Sequence, residues 1–320
     1  MTNIKDVAKL ANVSVTTVSR VLNKHPYVSE EKREAVLDAV KKTNYHINRN
    51  AVNLSKGKTF LIGVVLPYSD HPYFGTLLKG IANAALEHNY KLVLIQTNYQ
   101  KDKEKEAFIM LEQKQIDGLI ICSRVSEWEV IEEYVIYGPI VLAEKNITEQ
   151  VSSTYIDHYQ AFYQALNHLY TNGYQSIGYC INRKNGVSSQ QRERAYHDFL
   201  KEKQIPFDQN YIFDGYLNFE DGERVVQQLK QMKKPPAALI VTSDQVAAGI
   251  VTCCHNLGLQ VPKDLAIIGF DNQPIAKYMG ITTMEIPLSE MGENLFLQAI
   301  TREKVSQKRV NVQLIERQTV

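Results

Sequence analysis

The segment from Ser14 to Asn23 combines side chains that suit contact with DNA. At helical spacing, Val18, Val21 and Leu22 form one apolar face, and the other positions turn outward. The outward set contains short hydroxyls, one apolar group and one guanidinium but no carboxylate: Val15, Thr16, Thr17, Ser19, Arg20 and Asn23. Ser and Thr bond to phosphates or base edges, Val can contact a thymine methyl group, and Arg can bind guanine through two hydrogen bonds. The pattern is also compatible with an ordinary helical hairpin that has a Ser/Thr-rich solvent face.

Two short helices joined by a tight turn are predicted to position this face. Apolar residues recur at helical spacing over 4–11, and Asn3 can cap that helix together with Asp6. Ser14 can cap the second helix, predicted over 15–23, by accepting from the N–H groups of its first turn. A helix-turn-helix needs this arrangement, because its second helix must enter the major groove of DNA.

A third helix and a polar segment follow. Residues 30–43 predict the helix, with acidic residues at its start and basic residues at its end, as the helix dipole favours. We expect Val36, Leu37 and Val40 to pack on the first two helices and complete a small bundle. Residues 46–58 are polar with few core residues, which predicts either a linker that becomes helical on binding or a plain flexible tether.

The distribution of charge separates the chain into a basic head and an acidic body. The formal net charge is only +1, but residues 1–58 contain eleven Lys and Arg against five Asp and Glu, a net charge of +6. The remaining 262 residues contain 25 Lys and Arg and 30 Asp and Glu, a net charge of −5. A basic head on an acidic body is typical of a nucleic-acid-binding module carried by another domain.

The sequence lacks the motifs of common enzyme classes. It contains no G-x-S-x-G, no P-loop and no G-x-G-x-x-G after a predicted strand. The eight histidines and four cysteines show no metal-ligand spacing, so we expect no metal and no cofactor. A hydrolytic set at Ser69, Asp70 and His71 is disfavoured, because consecutive residues rarely present a working triad. Without a signal peptide or an apolar run of about 18 residues, the prediction is a cytoplasmic, nucleoid-associated protein that is not an enzyme.

From Phe60 onward, short apolar runs alternate with helical stretches. Runs such as FLIGVVLP at 60–67 and AALIVTS at 237–243 are typical of buried parallel strands. About ten strands alternating with helices predict two doubly wound α/β lobes with right-handed crossovers. Ligands of such open sheets bind at the carboxyl ends of the strands, and several of the predicted strands here end in polar residues.

A long motif extends over the head. The residues D-V-A-x-x-A-x-V-S-x-x-T-V-S-R-V-L-N occupy Asp6 to Asn23, and further matches follow at Val28-Ser29, Asn44-Tyr45, Asn48-Arg49, Ala51 and Leu54. With this motif the chain resembles the LacI/GalR family of transcriptional regulators. It departs from the family pattern at Ile47, where Pro is usual, and in the hinge, where Leu54 is followed by Ser55-Lys56-Gly57.

The resemblance implies a hinge that orders on the operator and a Leu that wedges into the minor groove, a position that Leu54 matches. The predicted DNA contacts therefore extend from the second helix into the hinge. They are Ser14, Val15, Thr16, Thr17, Ser19, Arg20, Asn23, Tyr27, Asn48, Ala51 and Leu54.

The resemblance also implies the domain organisation. Residues 1–46 form the helix-turn-helix head, 47–58 the hinge helix, and 59–320 a two-lobed effector-binding and dimerisation domain of the periplasmic-binding-protein type I architecture. In that architecture the chain crosses between the lobes, so each lobe is built from two separate segments of the sequence. The first lobe is expected at about 59–157 plus 288–313, and the second at about 158–287 plus 314–320.

An effector site is predicted between the lobes. The segments that resemble ligand-contacting segments of the family follow predicted strands or begin helices. The candidate residues are Tyr68, Tyr73, Phe74, Glu144, Arg192, Ser243 and Asp271. The resemblance implies that Arg192 and Asp271 grip the ligand, and we expect them to pair when the cleft is empty. Singly, each residue could instead be a loop-capping residue at a strand end.

Together these features predict a homodimeric repressor that binds a pseudo-palindromic operator in double-stranded DNA. A small sugar or sugar derivative is the predicted effector, without a membrane partner. One alternative is a regulator of the catabolite-control branch, which takes a phosphorylated phosphocarrier protein as corepressor. The expected protein-contact pattern of that branch is not clearly kept in SEMGENLFLQAITRE, at 289–303. A sugar-binding receptor without a DNA function is a further alternative, disfavoured by the basic head.

Overall fold

The computed structural model describes residues 3–46, 57–145, 150–301 and 305–320. The chain separates into two compact units, Met1–Thr59 and Phe60–Val320. In the described ranges, no helix combines the length and apolar character needed to cross a membrane. The hinge predicted over 47–58 lies almost entirely outside the described residues.

Within residues 3–46, the described part of the first unit has three helices, α1 (Ile4–Leu10), α2 (Val15–Leu22) and α3 (Glu30–Thr43). The predicted capping box of α1 is confirmed. The Oδ1 atom of Asn3 accepts from the backbone N–H of Lys5 at 2.8 Å, and the carboxylate of Asp6 accepts from the N–H of Asn3 at 2.9 Å. Ser14 caps α2 as predicted, since its Oγ accepts from the N–H of Thr17 at 3.1 Å. The caps satisfy N–H groups that a helix leaves without internal partners.

A small apolar core joins the three helices of this unit. Its buried members are Val7, Ala8, Val18, Val21, Val36 and Ala39. The expectation that Leu37 belongs to this core is wrong, because its side chain is 52% exposed. Ala39 takes the inward position, since residues three apart on a helix share a face whereas Leu37 is turned about 100° from Val36.

The described residues of the second unit form twelve strands. The first five strands lie in the first half of the chain: β1 (Leu61–Leu66), β2 (Lys91–Gln96), β3 (Gly118–Ile121), β4 (Ile140–Leu142) and β5 (Ser152–Tyr155). The others follow in the second half: β6 (Ile177–Ile181), β7 (Ile212–Asp214), β8 (Ala238–Val241), β9 (Ala266–Phe270), β10 (Thr282–Glu285), β11 (Gln307–Arg309) and β12 (Gln313–Ile315).

Helices connect these strands. In the first half they are α4 (Pro72–Glu87), α5 (Lys101–Glu112), α6 (Trp128–Glu132) and α7 (His158–Thr171). In the second half they are α8 (Val187–Glu202), α9 (Asp221–Gln231), α10 (Asp244–Asn256), α11 (Pro274–Tyr278) and α12 (Leu288–Ile300), with a short 3₁₀ turn at Gln209–Tyr211.

The strands form two sheets of six, which confirms the prediction of two doubly wound lobes. The first lobe has the order β11-β5-β4-β3-β1-β2, and the second has β12-β10-β9-β8-β6-β7. All neighbours pair in parallel except β12, which runs antiparallel to β10. The central strands are buried apolar runs, as expected for sheets covered by helices on both faces.

The chain passes between the lobes three times. It leaves the first sheet after β5, returns through α12 and β11, and ends in the second sheet with β12. The edge strands β11 and β12 and the short α11 were not predicted. Residues of β11 are all exposed, and a three-residue polar strand has no apolar periodicity to detect.

Close helix packing places the start of α4 at the carboxyl end of the first sheet. Gly80 and Gly292 allow this approach, because a Cβ on Gly80 would lie 2.0 Å from the backbone oxygen of Ser289. A Cβ on Gly292 would lie 2.2 Å from the backbone oxygen of Leu77. Real Cβ atoms do not approach backbone oxygens so closely, so α4 and α12 pack at this distance only with glycine at both positions.

Candidate functional sites

The outward face of α2 has the composition predicted for a DNA-reading surface. Thr16 and Arg20 are exposed and lie four residues apart on one face, and Val15 is 40% exposed. Thr17 and Ser19 are half-buried, and their hydroxyls already have local partners. The Thr17 hydroxyl lies 2.9 Å from the Ser14 hydroxyl, and the Asn23 amide donates to the backbone oxygen of Ser19 at 2.8 Å. The freest side chains on this face are therefore those of Thr16 and Arg20.

The remaining predicted DNA contacts lie away from α2. Tyr27 is 84% exposed, with its ring 5.7 Å from that of His25. An exposed aromatic ring in a loop has little to stabilise it within the head, so it is available to a partner. Asn48, Ala51 and Leu54 lie outside the described residues.

A cavity of about 140 Å³ lies between the two lobes, at the carboxyl ends of their strands. Six of the seven predicted effector residues line it: Tyr73, Phe74, Glu144, Arg192, Ser243 and Asp271. Tyr68 is not among the lining residues; its ring packs edge-on against that of Tyr99 at 5.7 Å, and Tyr99 forms the wall. The predicted site residues are thus brought together with this single exception.

Several lining residues were missed by the sequence analysis. They include Tyr99, Ser123, His158, Asn182, Arg183, Ser189 and Tyr216. A signal was present, because Ser123, Asn182 and Tyr216 each follow a strand by one or two residues. Ligands bind at strand ends in open α/β sheets, so applying that rule to every strand would have found these three.

Asp271 occupies a turn with unusual backbone geometry directly after β9. Its φ angle is +98°, and the next residue, Asn272, has a φ of +50°. Burial and the neighbouring carboxyl of Asp244 raise the pKa of Asp271 well above its usual range. The side-chain amide of Gln273 donates to it at 3.3 Å. Strained residues of this kind often occur at functional sites, where surrounding contacts hold them in place.

The support for this turn comes from Asp244, at the start of α10. Its carboxylate accepts from the backbone N–H of Gln273 and from the hydroxyl of Thr283, each at 2.7 Å. Burial nevertheless raises the pKa of Asp244 to about 7, against the opposing effect of those hydrogen bonds. The neighbouring carboxyls of Asp244 and Asp271 are therefore both harder to ionise than an exposed aspartate.

Arg192 lies on α8, with its guanidinium 5.3 Å from the ring of Phe270. The expected ion pair with Asp271 is not formed between these two described residues, although their charges interact. The Nε atom of Arg192 is buried and has no hydrogen-bond partner. The carboxyl of Asp271, in the turn after β9, instead accepts a hydrogen bond from Gln273.

Glu144 has a partner that the sequence did not indicate. It forms a hydrogen-bonded ion pair with Arg124, whose Nη1 atom also donates to the backbone oxygen of Ser126 at 2.7 Å. Burial raises the pKa of Glu144, while the neighbouring arginine lowers it. The carboxylate of Glu144 is thus already engaged within the first lobe.

Two buried histidines complete the polar lining. Burial lowers the pKa of both His71 and His158, and both are therefore favoured in the neutral form. The Nδ1 atom of His158 has no hydrogen-bond partner. The Nε2 atom of His71 also lacks a partner of normal geometry, although the carbonyl of Leu217 is near enough to raise its pKa against the effect of burial. Unpartnered buried polar atoms are costly, which is typical of a site that binds a ligand.

Both units of the chain match known protein families. Residues 3–48 match the model of bacterial regulatory proteins of the lacI family. Residues 59–317 match the model of periplasmic binding proteins and the sugar binding domain of the LacI family. The chain belongs to the LacI family. As a LacI-family protein, it is a DNA-binding transcriptional regulator with a sugar-binding type of domain.

Individual relatives extend over the whole length of this LacI-family chain. An uncharacterised HTH-type transcriptional regulator of Bacillus subtilis (strain 168), YkvZ, is 41% identical over 323 residues, with 100% of both chains covered. Catabolite control protein B of the same organism is 37% identical over 302 residues, covering 93% of this chain and 95% of the relative. The solved structure of the lac repressor dimer bound to operator and an anti-inducer is 25% identical, with a TM-score of 0.81, and covers 99% of this chain and 98% of its own.

Proposed function

We propose that this LacI-family protein is a repressor whose affinity for an operator is controlled by a small sugar-like effector. One observation carries the proposal. A single chain combines a helix-turn-helix head that exposes Thr16 and Arg20 with a separate unit that has a polar cavity between two lobes. A regulator requires both the head and the cavity. A sugar-binding receptor requires only the cavity, and neither a receptor nor an enzyme accounts for the DNA-binding head.

We assign the DNA-binding role to residues 1–46, the hinge to 47–58, and effector binding and dimer formation to 59–320. Arg20 and Thr16 would contact base edges, with Ser14, Thr17 and Ser19 near the phosphates. Tyr27 would contact the DNA backbone beside them. The basic net charge of the first 58 residues favours association with DNA of any sequence, so recognition of the operator depends on these side chains.

The cavity residues have different roles in this proposal. Arg192 would donate to ligand oxygens, while Asp271, held by Gln273, would contact a ligand hydroxyl. Tyr73 and Phe74 form an apolar wall on the first lobe. Because residues of both lobes line the cavity, a bound ligand changes the relative stability of lobe arrangements, and linkage makes operator and effector affinities depend on each other.

The similarity to catabolite control protein B supports one alternative mode of regulation. A regulator of that kind could take a phosphocarrier protein as corepressor, and a dimer of this chain could provide the surface. That partner remains a prediction from sequence resemblance.

The proposal is tested with full-length protein in two steps. A panel of mono- and disaccharides, their phosphate esters, sugar acids and purines is first screened by thermal shift. Operator fragments selected from random DNA are then titrated by fluorescence anisotropy with and without each stabilising compound. The proposal predicts selection of a pseudo-palindromic site and a changed affinity in the presence of at least one compound. Failure to select any sequence over random DNA would contradict it.

A further inference from the structure

Two positive features occupy the same corner of the interlobe cavity. One is the guanidinium of Arg183, and the other is the N-terminus of α8, whose N-cap is Gly186. A Cβ built on Gly186 would lie 3.2 Å from Nη2 of Arg183, so the guanidinium lies directly against the end of the helix. A helix N-terminus carries partial positive charge, and placing a cation beside it is unfavourable unless an anion joins them.

The N-terminus of α8 is not capped by a side chain. The N–H groups of its first turn, at Val187, Ser188 and Ser189, have no partners within the helix itself. The hydroxyl of Ser189 instead donates to the backbone oxygen of Arg183 at 2.5 Å, which fixes the loop between them. Gly186, Ser188 and Ser189 all line the cavity, so the end of the helix faces the space where a ligand would bind.

The guanidinium of Arg183 is held in place without a carboxylate. It stacks on the ring of Tyr99 at 3.8 Å, and its Nη2 atom donates weakly to the backbone oxygen of Arg124 at 3.4 Å. The hydroxyl of Tyr99 is in turn 3.1 Å from that of Ser123. These contacts orient the guanidinium but do not neutralise it, so it can bind an anion with little loss of conformational entropy.

The acidic residues of the cavity form no ion pair with Arg183 among the described residues, although its charge helps to lower the pKa of Glu144. Glu144 is already paired with Arg124, and Asp271 is hydrogen-bonded to Gln273 and disfavoured as an anion by burial and Asp244. Neither Arg183 nor Arg192 forms an ion pair within the described part of the chain. Both arginines are only partly exposed and lack an ion-pair partner, so the cavity favours a ligand that carries negative charge.

A second observation points to a ligand in the same cavity. Five buried side-chain nitrogen or oxygen atoms lack a hydrogen-bond partner among the described residues, and three of them belong to the cavity lining. They are Nε2 of His71, Nδ1 of His158 and Nε of Arg192. His71 is only 7% exposed, so solvent does not satisfy it in place of a ligand. Three of the five unsatisfied atoms therefore belong to the lining of the cavity that also contains Arg183 and the start of α8.

We infer that the effector carries an anionic group, a phosphate or a carboxylate, bound between Arg183 and the N-terminus of α8. The inference rests on the proposed function and narrows its ligand class from sugars to anionic sugar derivatives. A guanidinium supplies two parallel donors to such a group, and the N–H groups of the first turn of α8 together with the hydroxyl of Ser188 supply the others. Arg192, farther along the same helix, remains available to the hydroxyls of the sugar.

The test compares matched probes on the full-length protein. The pairs are glucose with glucose 6-phosphate, fructose with fructose 1-phosphate and fructose 6-phosphate, and ribose with ribose 5-phosphate, together with gluconate and glucuronate. Affinities are measured by calorimetry at low and at high salt. At least one anionic member is expected to bind about tenfold to a hundredfold more tightly than its neutral parent, since a hydrogen bond to a charged group is stronger than one between neutral groups. The phosphate and carboxylate arms distinguish the two sources of charge.

A substitution tests whether Arg183 supplies the positive charge that binds the anionic group. Arg183→Gln is expected to lose most of the preference for the anionic probe while retaining its affinity for the neutral parent. Arg194→Gln is the matched control, because Arg194 lies on the same helix with a side chain that is 79% exposed and pairs with Asp198. The control should keep the full preference. Circular dichroism and thermal unfolding of both variants show whether either substitution changes the fold.

Three outcomes overturn the inference. It fails if a neutral sugar binds at least as tightly as its anionic derivative, if no anionic probe binds, or if Arg183→Gln weakens neutral and anionic probes equally. The proposed function survives the first and third of these when the bound sugar changes operator affinity. If the full-length protein selects no operator, the proposed function fails independently of any result with the probes.

Discussion

The carboxylate of Asp244 accepts the backbone N–H of Gln273 at 2.7 Å and so holds the turn in which Asp271 projects into the cavity. The two residues lie on different elements, at the start of α10 and after β9. Gly269 makes the contact possible, since a Cβ there would lie 2.1 Å from Oδ1 of Asp244. A buried carboxyl thus shapes a ligand-facing turn without lining the cavity itself.

This relationship has a consequence for stability as a function of pH. The pKa of Asp244 is raised to about 7 in the folded protein, whereas an aspartate in the unfolded chain has its ordinary pKa of 3.8. Between pH 3.8 and 7 the folded state therefore binds more protons than the unfolded state. The contribution of this group to stability is therefore greatest below about pH 4 and is lost as the pH rises to 7. Relative to Asp244→Asn, wild type should lose on the order of 1–4 kcal/mol across that window. Urea unfolding of both proteins between pH 5 and 8 measures the difference; parallel profiles would contradict the assignment.

Arg20 is expected to determine operator specificity. Its exposed guanidinium lies on the outward face of α2, where it can bind a guanine in the major groove. Arg20→Ala should weaken binding to the selected operator by about 1–3 kcal/mol and relax the preference at one base pair. Fluorescence anisotropy on operator and random DNA separates the possibilities. Equal losses on both DNAs would mean that Arg20 contacts only phosphate.

Leu54 is expected to act as a wedge in the minor groove. It is the one leucine in a mostly polar segment, 46–58, which has few other apolar side chains to pack against it. Leu54→Ala should reduce DNA bending and operator affinity with almost no change in thermal stability. Bending is measured by energy transfer between dyes at the ends of an operator fragment. A large drop in the melting temperature would show instead that Leu54 belongs to a protein core.

Arg192 and Asp271 are expected to contribute to effector binding independently. Loss of one hydrogen bond to a charged group costs roughly 1.5–3 kcal/mol, so Arg192→Ala should weaken effector affinity by about tenfold to a hundredfold. Asp271→Ala should have a comparable effect. The two form no ion pair in the structure, although their charges interact, so thermal unfolding of each variant accompanies the binding measurement. Calorimetry with the identified effector measures the losses, and operator affinity without effector serves as the control. Wild-type effector affinity in both variants would place the site elsewhere.

Gly80 is expected to tolerate no side chain. A methyl group there would meet the backbone of Ser289, so Gly80→Ala should destabilise the second unit by about 1–3 kcal/mol. Gly75 is the matched control on the same helix, since a Cβ there would have no neighbour within 4 Å. Gly75→Ala should be neutral or stabilising, because alanine favours helix more than glycine does. Chemical unfolding of both variants tests this; equal stabilities would show that α4 and α12 can separate without cost.

Local signals in the sequence were enough to predict most of the elements and the fold class, but not β11, β12 or α11. The caps at Asn3 and Ser14, the apolar runs of β1 and β8, and the alternation of strand with helix all depend on residues within a few positions of one another. Such short-range patterns are legible in a single sequence because backbone hydrogen bonding and side-chain periodicity act over one or two turns. The resemblance to a known family added the lobe architecture, and six of the seven predicted effector residues line the cavity.

Only the tertiary structure decided how side chains distant in sequence meet. It placed Tyr99 rather than Tyr68 in the cavity wall, paired Glu144 with Arg124, and gave Asp271 a hydrogen bond from Gln273 in place of an ion pair with Arg192. It also placed Arg183 against Tyr99, a contact between the two lobes. Each of these relationships depends on strand order and on the exact turn after a strand. No local periodicity encodes them, because they arise when two sheets that fold around separate apolar surfaces bring their polar ends to one cavity.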